Sequence, residues 1–214
     1  MHKIAVTILA AVAAMVALSQ SAHAHPHVWV TMKSEIVYDA SGTATGVRHA
    51  WTFDDMFSAF ATQGLESKEK GVFTREELAP LAEVNVTSLK EYDYFTQASV
   101  GGKKAEMGDA SDYWLKYKDS TLTLHFTLAF TAPAKAHALD MEVYDPTYFV
   151  DFALAEKDPV SLLGAPAGCK VTIGKPQEMS AAMARRLAEI PADQQIPSNS
   201  WGAQFANKIA VKCP

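Results

Sequence analysis

His25 and His27, separated by Pro26, follow directly on Ser21-Ala22-His23-Ala24. Imidazoles this close in sequence can hold a transition metal. Cleavage after Ala24 would make His25 the first residue, and its α-amine and imidazole could then chelate one ion together. His27, or a residue from elsewhere in the fold, would complete the set. Pro26 has no N–H to lose, so the amino-terminal copper and nickel motif that uses deprotonated amides at positions two and three is excluded in its usual form. A nitrogen-rich set of this kind suits nickel, cobalt, zinc or copper rather than calcium or magnesium. The opposing reading is a solvated terminus whose histidines bind nothing.

The expectation of cleavage rests on the residues before the pair. Lys3 supplies a positive start, Ile4 to Leu18 is an uncharged apolar run, and Ala22 and Ala24 form a small-x-small site. Residues 1–24 therefore read as a signal peptide for export to the periplasm. The run is short for a membrane span, and no later stretch approaches one.

Other residues could take part in the same chemistry. Pairing Val28, Val30 and Met32 with Phe53, Trp51 and His49 puts the apolar residues of a hairpin on one face, and this register sets Asp54 opposite His27. Asp54 is thus a candidate metal ligand or orienter of the imidazole; Asp also fills a helix N-cap very well, and the two roles can coexist. His49 falls on the apolar side, about five residues or ~17 Å along the sheet from His27, and reads as a core residue. His125 reads the same way, His137 as solvent-facing, and Trp29, Trp114 and Trp201 as core aromatics.

Glu66 to Glu77 has the length of an EF-hand loop, with Gly71 at position six, Phe73 at eight and Glu77 at twelve. Positions three and five are Lys68 and Lys70, whose charges repel a divalent cation, so calcium binding is not expected. The loop reads either as a degenerate EF-hand or as a polar loop before a capped helix. Asp145-Pro146 reads as a structural corner, with Tyr148 and Phe149 in the strand that follows. No Gly-x-Ser-x-Gly, phosphate loop, His-Glu-x-x-His or dinucleotide fingerprint occurs, and no carboxylate spacing marks an acid–base pair. The chain is not expected to be an enzyme.

These residues must be positioned by one domain. Residues 25–214 suffice for a sizeable core, and no repeat or linker divides them. The net charge of −5, without basic clusters, argues against nucleic acid as a partner. Val28 to Tyr38 and Thr45 to Phe53 alternate as a hairpin about Asp39-Ala-Ser-Gly42. Helices follow from Asp54 to Gly64 and, behind the Thr74-Arg-Glu-Glu77 capping box, to about Leu89. Strands are expected at 92–100, 113–117, 122–130, 138–144 and 148–155. A helix near Met179 to Ile190 precedes a terminal strand. Cys169 and Cys213 are flanked by strand-like alternation, and in an exported protein they predict a disulfide worth roughly 4 kcal/mol on the chain-entropy model. The expected fold is α+β: an antiparallel β-sandwich-like domain with a helical insertion at about 54–90.

Five segments carry a resemblance: His25-Pro-His-Val-Trp, Trp51-Thr-Phe-Asp-Asp-Met-Phe-Ser58, Leu89-Lys-Glu-Tyr-Asp-Tyr-Phe-Thr96, Asp145-Pro-Thr-Tyr-Phe-Val150 and Trp201-Gly-Ala-Gln-Phe-Ala206. Together they resemble a bacterial exported family of unknown function, described as the periplasmic component of an uncharacterised ABC-type transport system. Members are often encoded beside nickel/cobalt-type transporters. The resemblance implies a metal-transport setting with an inner-membrane transporter as partner, and it carries over no catalytic residue. The family's loop commonly has an Asp-Gly-Asp-Gly-like run before Leu-Thr-x-Glu-Glu-Leu, where this chain has Glu69-Lys-Gly-Val-Phe-Thr-Arg-Glu-Glu-Leu78.

The expected function is a non-enzymatic accessory of metal-ion transport, binding or handing over the ion at the processed terminus. The alternatives are a metal-independent adaptor of a membrane transporter and a copper-dependent oxidative enzyme. The latter needs a third nitrogen ligand and an open coordination position.

Overall fold

The computed structural model describes residues 26–69, 71–135, 137–190 and 201–214. The signal segment 1–24 and His25 lie outside the described residues. Two sheets face each other. The first contains β1 (Val28–Tyr38), β2 (Ala44–Phe53), β5 (Ser111–Lys118), β6 (Thr121–Ala134), β8 (Val150–Leu154) and β9 (Val160–Leu163). The second contains β3 (Thr96–Val100), β4 (Lys103–Ala105), β7 (Ala138–Val143), β10 (Lys170–Ile173) and β11 (Ile209–Lys212). The strand orders are β5-β6-β2-β1-β8, with β9 also on β1, and β10-β11-β7-β3-β4. Most pairings are antiparallel, but β8 and β9 run parallel to successive halves of β1. The architecture is α+β, strand-dominated, with helices few and peripheral.

Strand alternation makes the sandwich. Val28, Val30, Met32, Ile36 and Tyr38 are buried on one face of β1, while Trp29, Thr31 and Lys33 point outward. Trp51 and Phe126 meet edge to face with centroids 4.8 Å apart, and Phe152 packs on Trp51 from β8 at the same distance. Burial of these aromatics and of Leu124, Leu128, Met141 and Ile209 is the main stabilising term.

The hairpin register differs from expectation by two residues. Val30 pairs with Phe53, Met32 with Trp51 and Ser34 with His49. An even shift leaves every side chain on its predicted face, so alternation alone is blind to it. The Asp39–Thr43 turn and an irregularity at Tyr38 set the register instead. Trp29, not His27, therefore stands beside Asp54.

The helical insertion consists of α1 (Asp55–Ala61) and α2 (Arg75–Lys90). The Thr74–Glu77 capping box is formed in both directions, and Leu78, Ala82 and Val86 bury the inner face of α2. Tyr92–Phe95, expected to open a strand, instead forms a tight turn. Asp93, Tyr94 and Phe95 all have φ near +50. Burial of Tyr94 and Phe95, and donation from the Ala110 amide to the Tyr94 hydroxyl (3.0 Å), outweigh a left-handed backbone cost of about 1–2 kcal/mol per residue. Near the C-terminus lie α3 (Ala181–Ala188) and the short α4 (Trp201–Phe205). The Cys169–Cys213 disulfide joins the ends of β10 and β11. No described helix is long and apolar enough to cross a membrane.

Candidate functional site

The beginning of β1 is pinned from both sides. On one side, the His27 and Val28 amides both donate to the Phe149 carbonyl, at 2.8 and 3.3 Å. The half-buried His27 ring lies 4.6 Å from the Phe149 ring. On the other side, the Asp54 amide donates to the Trp29 carbonyl (2.9 Å) and the Trp29 amide donates to Asp54 Oδ2 (2.9 Å). The remaining oxygen, Asp54 Oδ1, accepts from the Phe57 amide (2.9 Å) and caps α1. Asp54 therefore fills the N-cap role open to it in the sequence and also clamps the first residues of β1 to the end of β2.

His27 is thus carried by a parallel strand pair that periodicity did not reveal, because β8 lies more than a hundred residues away in sequence. Its neighbour is the Asp145–Val150 corner. Asp145 is 3% exposed, and its carboxylate is filled by the Thr147 amide and hydroxyl (both 2.8 Å) and by the Phe149 and Val150 amides (both 3.0 Å). This network places Phe149 against His27. It also holds Tyr148 in the left-handed region (φ 56), buried against Phe205, so the expected strand starts only at Val150. A Cβ on Gly202 would lie 1.8 Å from the Asp145 carbonyl oxygen, so α4 rests directly on this corner.

Several aromatic and apolar side chains stay exposed around this end. Trp29 is 45% exposed, contrary to the core placement expected of it, because it occupies an outward position of β1. Phe149 is 42% exposed, and Met56 and Phe60 on α1 are about three-quarters exposed.

His49 is 2% exposed and lies in the core as expected. Its Nδ1 is 2.9 Å from Ser34 Oγ and its Nε2 is 3.3 Å from Thr96 Oγ1. The Thr96 hydroxyl has one proton and donates it to the Tyr94 carbonyl (2.8 Å). His49 Nε2 must therefore donate to Thr96, and Nδ1 accepts from Ser34. Burial drives the His49 pKa down to about 3, so the ring is neutral. His125, by contrast, is half-buried on the outer face, stacked 3.9 Å from Trp114, with Arg75 over the indole at 4.8 Å. His137 is exposed and contacts the Pro214 carbonyl.

In the loop between α1 and α2, Glu77 accepts from the Lys68 amide (3.0 Å) and the Thr74 amide (2.8 Å). The side chain that would grip calcium in an EF-hand is here turned onto its own loop. Among the described residues, no three His, Cys, Asp or Glu side chains converge as a metal set. Asp151 was not singled out by the sequence. Burial raises its pKa, partly offset by the Tyr148 hydroxyl that donates to it. The Tyr148 hydroxyl is in turn pushed up to about 12 by burial and by the Asp151 charge.

A profile described as protein of unknown function (DUF1007) matches residues 10–213. An uncharacterised protein of Haemophilus influenzae is 21% identical over 192 residues, covering 89% of this chain and 91% of its own length. An uncharacterised 15.5 kDa protein of Spirochaeta aurantia is 32% identical over 94 residues, 43% of this chain and 66% of its own.

Proposed function

The chain belongs to the DUF1007 family, and on that premise we propose that it is an exported, non-enzymatic accessory of a metal-ion transport system. In this reading it acts in the periplasm, where it binds a nickel, cobalt, zinc or copper ion through His25 and His27 of the processed terminus. It then passes the ion to or from an inner-membrane transporter. The observation that carries the reading is the anchorage of His27. The hydrogen bond from its backbone N–H to the Phe149 carbonyl and its ring contact hold one imidazole on the rim of the sandwich, two residues from the amine that cleavage would create. A metal held there would sit on a fixed edge. The five segments of the sequence resemblance support the transport setting.

Mass spectrometry of the exported protein is expected to find His25 at its amino terminus. Titration of that protein with Ni(II), Co(II), Zn(II) and Cu(II) is expected to show one site of micromolar or tighter affinity. His25→Ala/His27→Ala should abolish it. Asp54→Ala is expected to cost about 1 kcal/mol of stability through the lost cap and to leave the affinity unchanged. Unchanged binding in the double histidine variant would overturn the terminal site.

A second reading, a metal-independent adaptor, is favoured by the exposed Trp29, Phe149, Met56 and Phe60 around the same end. Restoration of transport in a deletion strain by the double histidine variant would select it.

A further inference from the structure

Beside the Asp145 corner, β8 borders a groove of about 370 Å³, within the range of small-molecule sites. Met179 and Phe205 contribute apolar walls, and Tyr148, Asp151, Gln177 and Asn207 contribute polar groups. The groove lies on the far side of β8 from β1, where the C-terminal elements pack against that strand. Tyr148, Phe205 and Leu187 form a small apolar cluster of their own there, with Met179 and Met183 packed on it.

Two carboxylates six residues apart show what the groove lacks. Asp145 is saturated by four donors and needs nothing further. Asp151 is half-buried, and the neighbouring Tyr148 hydroxyl is the side-chain donor that acts against the effect of burial on its pKa. A carboxylate has about four acceptor positions, more than one hydroxyl can fill. Asn207 is buried and donates one of its two side-chain N–H groups to the Phe152 carbonyl (3.4 Å), and its side-chain oxygen is an acceptor. The groove therefore has acceptors, carries one negative charge, has apolar walls, and has no Lys or Arg among the described residues that line it. The complementary ligand has N–H donors, a positive charge and an apolar body.

We propose that this groove binds a small organic cation, a primary ammonium or guanidinium on an apolar body, with its N–H donors on Asp151 and Asn207 and the body against Met179 and Phe205. The ammonium replaces the water that a half-buried carboxylate otherwise needs, and the walls exclude solvent from the contact. The site is separate from His25 and His27 and does not depend on the metal reading.

Phenethylammonium is the probe, followed by calorimetry and by the side-chain amide signals of Gln177 and Asn207 in nitrogen-15 spectra. Saturable binding is expected, with both amide signals shifting. Two controls use the wild-type protein, so they are independent of any folding defect. Phenethyltrimethylammonium keeps the charge but has no N–H, and 2-phenylethanol keeps the body without the charge; each is expected to bind at least about tenfold more weakly. Asp151→Asn should weaken phenethylammonium to the same degree, and His25→Ala/His27→Ala should leave it unchanged. Absence of saturation at millimolar probe, equal binding of the trimethyl analogue, or unshifted Gln177 and Asn207 signals would overturn the proposal.

Discussion

His49 shows how one buried residue sets a solution property of the whole protein. Its neutral ring bridges Ser34 on the first sheet and Thr96 on the second, and its pKa is about 3 in the fold against 6.5 for the free side chain. Between those values the unfolded chain binds a proton that the folded chain refuses. Stability is thus fully present above pH 6.5 and is lost as pH falls toward 3, at about 1.4 kcal/mol per pH unit. Urea midpoints measured from pH 7 to 4 should fall on this slope beyond the contribution of the carboxylates. His49→Gln, which cannot take the proton, should flatten the difference. Equal slopes for the two proteins would mean that His49 is not the acid-sensitive group.

At the scale of elements, the corner at Asp145 does more than turn the chain. Its four hydrogen bonds shape the approach to β8, present Phe149 to His27, and offer a carbonyl on which Gly202 of α4 rests. A side chain at position 202 has no room, because the obstacle is backbone rather than a movable side-chain end. Gly202→Ala is expected to cost at least about 2 kcal/mol. The loss would be read as a lower urea midpoint with an unchanged slope. A midpoint equal to wild type would show that α4 does not sit this close to the corner.

For the molecule as a whole, the terminal strand β11 is held between β10 and β7 and is tied at its end to Cys169. Cys169→Ser/Cys213→Ser removes a link spanning 44 residues and is expected to lower stability by roughly 4 kcal/mol, measured by denaturant unfolding. A loss below about 1 kcal/mol would mean that the sheet holds β11 without the link. The two sheets close on one core, yet the edge that carries His27 belongs to a parallel pair between the first strand and the eighth. The start of β1, α4 and a central corner meet there only after folding.

Local patterns determined much of this protein. Alternation in Val28–Tyr38 and Leu122–Phe130 identified strands and their buried faces, Thr74 and Glu77 marked the start of α2, and strand-like flanks joined Cys169 to Cys213. Period-two alternation records which face a residue occupies and nothing about absolute register, so Asp54 was set opposite His27 when its partner is Trp29. Nor could aromatic content foretell the left-handed turn at Asp93–Phe95, whose cost is offset by tertiary burial. The neighbours of His27, the donors around Asp145 and the groove at Asp151 were decided only by the tertiary structure. Each depends on residues far apart in sequence, brought together by burial of apolar faces that carry no label for their partners.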